Sequence, residues 1–461
     1  VGKMMDKHGL SAFQLTMLAL GTVIGGSFFL GTAIAINAAG PSIIIGFILG
    51  GVLVYLILNA LSEMTVANPC PGSFRTHAGE AYGPYLGFLV GWVYWTGLVL
   101  AMSSEATAAS LFIKNWFPDL SLPLLSIGIV AAITALNLLG ASLLTHLESS
   151  LASIKLVALI LFIVIALVLI FGLLPGRPAI GLGALQGAIL FPHGIGGLAG
   201  SMLIVLLGYA GFEIIGLAAS EARDPNRTIP LAIDYTVISL LSFYIIVVAL
   251  ILPLIGTGSL SAKVSPMVAS LNFRGLSVAA GVVNFVLITA ILSTMLASTF
   301  GLGRMFRSLA DNGDAPGLLL DKGDVPLKGI LMSGIGMLLG VSLSYVLPDQ
   351  IYLFLISSGG FSLLFAYLVI MMTHLRFRRS HGCPPQGHCQ LAWYPYSTWI
   401  GIISLIIAIA TMPLIPGQGA GLFAGLALIA VYSVLFYLFR YAPMRTAPAS
   451  KPVQDHNPDQ E

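Results

Sequence analysis

The stretch "SSLASIKLVALILFIVIALVLIF", Ser149 to Phe171, carries a single charge along its whole length. About 20 mostly apolar residues, wound as a helix, match the thickness of a bilayer's hydrocarbon core. Twelve runs of this kind follow one another along the chain. They begin near Ser11, Pro41, Pro84, Ser121, Leu147, His193, Pro230, Met267, Gly329, Asp349, Tyr394 and Gly419. A water-facing surface cannot be made from what is left. Charged residues are 8% of the chain and its mean hydropathy is +0.97, whereas ordinary soluble domains carry about 25% charged residues. The sequence therefore reads as an all-α, polytopic membrane protein with 12 transmembrane helices. Its expected surroundings are the lipid bilayer, with no nucleic acid; oligomeric state is not legible.

The placement of Lys and Arg orients the spans, because cytoplasmic loops carry the excess of positive charge. With the N-terminus inside, fifteen of the twenty fall on the inner side and four, Lys114, Arg177, Lys263 and Arg274, on the outer. Lys155 falls within a span. Both termini are thus expected in the cytoplasm, in a multi-pass protein of the cell membrane. The chain divides into a cytoplasmic N-terminus (1–10), five helices (11–173), five more (192–376), a final pair (394–440) and a polar, Pro-rich tail (441–461) expected to be disordered. The three cysteines, Cys70, Cys383 and Cys389, make no disulfide framework.

Two of the spans look built to break. "LGTVIGGSFFLG", Leu20 to Gly31, places four glycines and a serine inside an apolar run. Glycine inside a helix costs up to about 1 kcal/mol relative to alanine. Backbone freed at that depth survives only where it lines a cavity or is covered by protein. A lone glycine cluster is also what close helix packing produces. The second cluster changes that balance: "LLGYAGFEIIGLAASEARDPNRTIP", Leu206 to Pro230, surrounds Glu213 with Gly208, Gly211 and Gly216. An intramembrane carboxylate marks a functional site by default. The two clusters fall on the first and sixth spans, equivalent places in two five-helix halves, which is the mark of an inverted-repeat transporter with its substrate at mid-membrane.

An interrupted helix bares N–H groups where its second half starts and C=O groups where its first half ends. The former attract an anion and the latter a cation. An α-amino acid carries both charges a few ångströms apart. The amides around Gly25, Gly26 and Ser27 suit its carboxylate. Carbonyls near Val23 and Ile24, with those near Tyr209 and Ala210, suit its ammonium. The candidate substrate site is therefore Ile24, Gly25, Gly26, Ser27, Tyr209, Ala210, Gly211, Phe212 and Glu213.

Several motifs make the chain resemble the amino acid–polyamine–organocation superfamily, and within it the bacterial and fungal amino acid permease branch. They are "IGGSFFLG" (Ile24 to Gly31), "PGSFRTHAGEAYGPYLGFLVGWVYW" (Pro71 to Trp95), "SSEATAASLFIKNWFP" (Ser103 to Pro118), "GFEIIGLAASEARDPNRTIPLAI" (Gly211 to Ile233) and "GRMFRSLADNGDAP" (Gly303 to Pro316). The resemblance runs from about Leu10 to Arg440. It implies a five-plus-five inverted-repeat fold of leucine-transporter type with discontinuous helices 1 and 6, alternating access, and secondary active uptake of an amino acid, usually by proton symport. The chain departs from the family pattern at Ser27, where a third glycine is usual. It also has Val93 and Gly97 in place of Asn and Trp, and Tyr367 in place of Trp.

Three deep ionisable groups are candidates for coupling. Lys155 lies roughly 12 Å along its span at 1.5 Å per residue, where a lysine that snorkels towards the helix end is the alternative to a functional one. It matches the fifth-helix lysine of proton-coupled relatives, which stands where sodium-driven members hold sodium. On that resemblance Lys155 is the proton-linked group, beside the carbonyls ending the first half-helix and the hydroxyls near Ser293. Glu105 and Glu213 line the site, carry the proton, or are carboxylates satisfied by hydroxyls and backbone. No cofactor is expected beyond the proton as coupling ion. His381, Cys383, His388 and Cys389 have metal-ligand chemistry at a spacing that fits no zinc pattern, and no metal is expected.

A channel would need a continuous polar pore, and charges within the spans are too few to show one. A membrane enzyme would need a nucleophile–base set or a metal motif, and none is present, so no catalytic residue is assigned. The readings that stand are a proton-coupled amino acid importer and, next to it, a polyamine or organic-cation carrier or an amino acid exchanger of the same superfamily.

Overall fold

A computed structural model of the chain describes residues 10–441 apart from 69, 71, 140, 218–221, 322, 324, 348–349 and 384–389. The N-terminal segment and nearly all of the tail lie outside the described residues. Seventeen α-helices are seen among them. The first half holds α1 (Ala12–Val23), α2 (Gly26–Phe29), α3 (Gly31–Ala39), α4 (Ile43–Ala67), α5 (Phe74–Tyr82), α6 (Pro84–Lys114), α7 (Leu122–Leu138) and α8 (Ala141–Ile170). The second holds α9 (Gly194–Tyr209), α10 (Ile214–Leu217), α11 (Pro225–Leu254), α12 (Pro266–Phe273), α13 (Ser277–Asp311), α14 (Leu327–Ser342) and α15 (Ile351–His381), followed by α16 (Tyr396–Ala410) and α17 (Gln418–Leu435). No β-strand occurs among the described residues; one isolated bridge pairs Leu10 with Ala222. Eight helical segments are long and apolar enough to cross a membrane. The remaining apolar helices, including α1, α7 and α9, have 10–17 residues in their apolar stretch. The protein is a polytopic, all-helical membrane protein.

Local chemistry sets the helix ends. Ser11 and Gln14 form a reciprocal capping box that starts α1. Pro84 and Pro225 occupy first-turn positions, where a missing N–H costs nothing. The run expected to begin near Pro230 consequently begins at Pro225, and Pro230 lies inside α11. The run expected to begin near Met267 begins instead at Ser277, as α13. Pro266 starts a separate short helix, α12, and Gly275 at φ 71° turns the chain before α13 begins. Hydropathy runs unbroken across that turn and cannot reveal it.

The spine of the molecule is α6, which packs along α15 and α13. Small residues allow the approach of α6 to α15. A Cβ built on Gly97 would stand 2.3 Å from the Ser362 Cβ, and one on Gly359 would stand 2.8 Å from the Gly97 carbonyl oxygen. The family's tryptophan has no room at position 97. Around the spine, α3 lies against α9, α4 against α11, and α1 against both α11 and α13. This arrangement wedges the α1–α2 junction between α6, α8 and α13.

Overpacking a tight helix contact costs about 1–3 kcal/mol. Gly97→Leu is expected to lower the melting temperature of the detergent-purified protein by several degrees. Gly128→Leu, on α7, faces open space and is expected to leave it unchanged. Fluorescence-detected size-exclusion chromatography after a heating series reads both.

Candidate substrate and coupling site

Both glycine-rich stretches interrupt their helices. In the first, α1 ends at Val23, Ile24 and Gly25 take extended backbone, and α2 restarts at Gly26. In the second, α9 ends at Tyr209 and Ala210 is extended. Gly211 there adopts φ 106°, a conformation that a side chain would strain. The interruptions touch: the Thr22 hydroxyl donates to the Gly211 carbonyl at 3.1 Å. Ile24, Gly25, Gly26, Tyr209, Phe212 and Glu213 are buried, and Ala210 and Gly211 are partly exposed.

The bare amides of the first break are not empty-handed. Glu105, on α6 and 1% exposed, sets its carboxylate on them. Oε2 accepts from the Gly26 N–H. Oε1 accepts from the Ser27 N–H at 2.9 Å and from the Ser27 hydroxyl at 2.6 Å. A Cβ on Gly26 would lie 2.8 Å from Oε2, so this seat requires glycine there. Three donors, two of them amides at the start of α2 and one a hydroxyl, make burial of an anion bearable.

The carbonyl side is held by a cation. Lys155 Nζ donates to the Gly21 carbonyl at 2.6 Å and to Thr294 Oγ1 at 2.9 Å. Thr294, on α13, donates in turn to the Ile24 carbonyl at 2.9 Å. The hydroxyl in reach of Lys155 is therefore that of Thr294, one residue beyond Ser293, which the sequence singled out and which is also buried. Thr294 Oγ1 and Glu105 Oε2 both lie within about 3 Å of the point where a Gly25 Cβ would sit, so the two groups flank one backbone position.

Glu213 is fully partnered. Tyr94 donates to Oε1 at 2.8 Å, and Tyr367 and the Gly211 N–H donate to Oε2 at 3.1 Å each. The Phe212 ring stacks on Tyr367 with centroids 4.9 Å apart. Tyr209 turns away from the break and donates to the Phe47 carbonyl at 3.0 Å. Tyr244 donates to the Gly208 carbonyl at 2.7 Å, covering the last turn of α9. Thr22, Tyr94, Tyr244 and Thr294 were not singled out from the sequence; each is an ordinary helical residue until its neighbours from distant helices are known.

Away from the breaks, Glu63 is wholly buried and paired. His374 Nε2 lies 2.7 Å and Arg378 Nε 2.9 Å from its Oε2. Cys383 is disulfide-bonded and therefore unavailable as a thiolate ligand. His388, Cys389, Glu221 and the Glu148 side chain lie outside the described residues.

Interrupted apolar helices that meet around buried ionisable groups are the architecture of a solute carrier. Comparison with known proteins makes the class specific. The chain belongs to the amino acid permease family, whose model, described as "Amino acid permease", matches residues 14–452. It is 30% identical to the γ-aminobutyric acid permease of Bacillus subtilis (strain 168) over 98% of each chain. It is 32% identical to the aromatic amino acid transport protein AroP of Escherichia coli O157:H7 over 96% of this chain and 97% of that one. A probable threonine/serine transporter of B. subtilis, YbxG, is 31% identical over 97% and 98%. The protein is an amino acid transporter of the cell membrane, and the family and these relatives are carriers, not enzymes.

Hydrogen bonds to a charged group are worth about 1.5–3 kcal/mol. Thr294→Val, which removes one such bond without changing shape, is expected to cut initial uptake by about tenfold or more on that scale. Ser293→Ala is expected to cut it far less. Radiolabelled uptake at matched surface expression distinguishes them.

Proposed function

We propose that this permease imports an α-amino acid by proton symport, with alternating access in a five-plus-five inverted repeat of twelve spans and both termini cytoplasmic. One observation carries the reading: the Glu105 carboxylate sits on the Gly26 and Ser27 amides, the donors that a substrate carboxylate would use.

Two carboxylates cannot share that seat. With a proton on Glu105 the side chain is neutral and holds the amides more weakly, so a solute carboxylate can replace it. The solute ammonium then meets the carbonyl ends of α1 and α9. When the site opens inward and the proton leaves, the Glu105 carboxylate reclaims the amides and the solute departs. Lys155 holds the carbonyl end of α1 through Gly21, and ties it to α13 through Thr294. An ammonium that gives up its proton on inward opening would loosen that tie and free α1 to move. Ser293 and Thr294 are the hydroxyls of α13 nearest this exchange.

The packing supports the repeat. Counting α1–α3 and α9–α10 as interrupted spans brings the eight long helices, with α7 and α8, to twelve. If α1–α3 corresponds to α9–α10, α4 to α11, α6 to α13 and α8 to α15, the contacts pair up. Thus α1 meets α11 as α9 meets α4, and α8 meets α13 as α15 meets α6. The substrates in the relatives' names, γ-aminobutyric acid, aromatic amino acids, and threonine or serine, share an ammonium and a carboxylate. A site that grips both charges suits them all and leaves the side chain to be sorted elsewhere.

Purified protein in liposomes, given a panel of labelled amino acids, tests this. An acid-outside pH gradient is expected to drive accumulation, and a sodium gradient of equal size is not. Accumulation driven by sodium alone would overturn proton symport. Glu105→Gln mimics the protonated side chain. It is expected to keep substrate counterflow and to lose at least about tenfold in pH-driven accumulation, consistent with losing one coupled charge. Lys155→Ala is expected to lose accumulation as well; full accumulation by either variant contradicts its assigned part.

A further inference from the structure

On the side assigned to the cytoplasm, the ends of α4 and α15 and the short helix α5 line an open pocket of about 580 Å³, with Glu80 and Arg376 at its exposed rim. Such a volume lies in the range of small-molecule sites. Its lining is chemically mixed. Met64 and Phe377 supply an apolar floor, Arg376 a guanidinium and Glu80 a carboxylate. The Arg376 guanidinium is not adrift: it lies 5.0 Å from the centre of the Tyr82 ring, and Tyr82 donates to the Met372 carbonyl at 3.0 Å. Across the cavity, Asn68 Nδ2 steadies Glu80 at 3.3 Å.

A second observation points to a ligand. Thr373 lines this cavity, is 1% exposed, and its hydroxyl finds no hydrogen-bond partner among the described residues. Helical threonines ordinarily satisfy their hydroxyl on the carbonyl a turn back, as Thr16, Thr65 and Thr134 do here; of the buried helical threonines that do not, Thr236, Thr299 and Thr373, Thr373 is the one that lines this pocket. A buried hydroxyl without a partner costs free energy, and a ligand atom in the cavity would remove that cost. His77 adds no second cation: burial holds its imidazole below the ordinary value of 6.5, so it is neutral at pH 7.

We propose that this cavity is a second amino acid site, separate from the transport site, which takes a zwitterion with an apolar side chain from the cytoplasm. The carboxylate goes to Arg376 and Thr373, the ammonium to Glu80, and the side chain onto Met64 and Phe377. The ligand class rests on the reading of the chain as an amino acid carrier. A bound amino acid would join the α4–α5 corner to the end of α15, so product accumulating inside would restrain the carrier that delivered it.

Equilibrium binding of labelled L-phenylalanine to the detergent-purified full chain tests the site, comparing wild type with Arg376→Gln, Thr373→Val and Gly26→Leu. A binding component is expected that Gly26→Leu retains, that Arg376→Gln abolishes and that Thr373→Val weakens about tenfold, as the loss of one hydrogen bond to a charged group implies. Thr373→Val is expected to keep its uptake rate into empty vesicles. An isotherm unchanged by Arg376→Gln and Thr373→Val would overturn the proposal, as would loss of all binding in Gly26→Leu. Displacement of the label by phosphatidylethanolamine would also overturn it, assigning the cavity to a lipid headgroup. Failure of the transport-site reading shows differently: Gly26→Leu would then leave both phenylalanine binding and uptake of the amino acid panel unchanged.

Discussion

A carboxylate from one helix resting on the bare amides of another is the contact on which the rest of this structure depends. An unpaired carboxylate deep in a membrane protein is costly, and so is an exposed helix start. Glu105 and the Gly26–Ser27 amides cancel each other's cost. The neighbours follow from that pairing. Position 26 has to be glycine because a Cβ would lie 2.8 Å from the carboxylate. Ser27, where the family usually has glycine, contributes a hydroxyl as a third donor. On the opposite flank of Gly25, Thr294 and Lys155 occupy the carbonyls that the same interruption leaves open.

The two buried glutamates differ in what holds them. Glu213 is gripped mainly by phenols that are themselves fixed, Tyr367 by stacking on Phe212 and Tyr94 by an edge contact with Phe74, centroids 4.9 Å apart. Glu105 is held by a serine and two backbone amides that any other anion could use. Glu213 therefore suits a fixed post at the second break, and Glu105 suits the group that gives way. This contrast underlies the proposal that Glu105 answers to the proton and the substrate while Glu213 sets geometry.

Much of the architecture was legible in the sequence because the membrane simplifies the physics. Apolar length marks a span, and a glycine cluster at membrane depth marks an interruption. Leu20–Gly31 and Leu206–Pro230 showed both. What sequence could not show was which distant side chain meets which backbone group. Glu105 is 78 residues from Ser27 and reads alone as a costly charge of undecided purpose. Ser293 and Thr294 are chemically alike, and only the rotation of α13 about its axis decides which hydroxyl faces Lys155. The start of α13 lies ten residues beyond the Met267 that hydropathy suggests, because Gly275 turns the chain without interrupting its hydropathy. The partners of Glu63, His374 and Arg378, come from α15, more than 300 residues along the chain.

The central claim is that substrate and Glu105 compete for one pair of amides, so that binding of the first leaves the second protonated. Infrared difference spectroscopy of the purified protein at neutral pH, with and without a transported amino acid, measures this directly. The account predicts that substrate brings up one buried carboxylic-acid band, present in wild type and missing from Glu105→Gln. Binding that leaves every carboxylate of the wild-type protein ionised as before would contradict it.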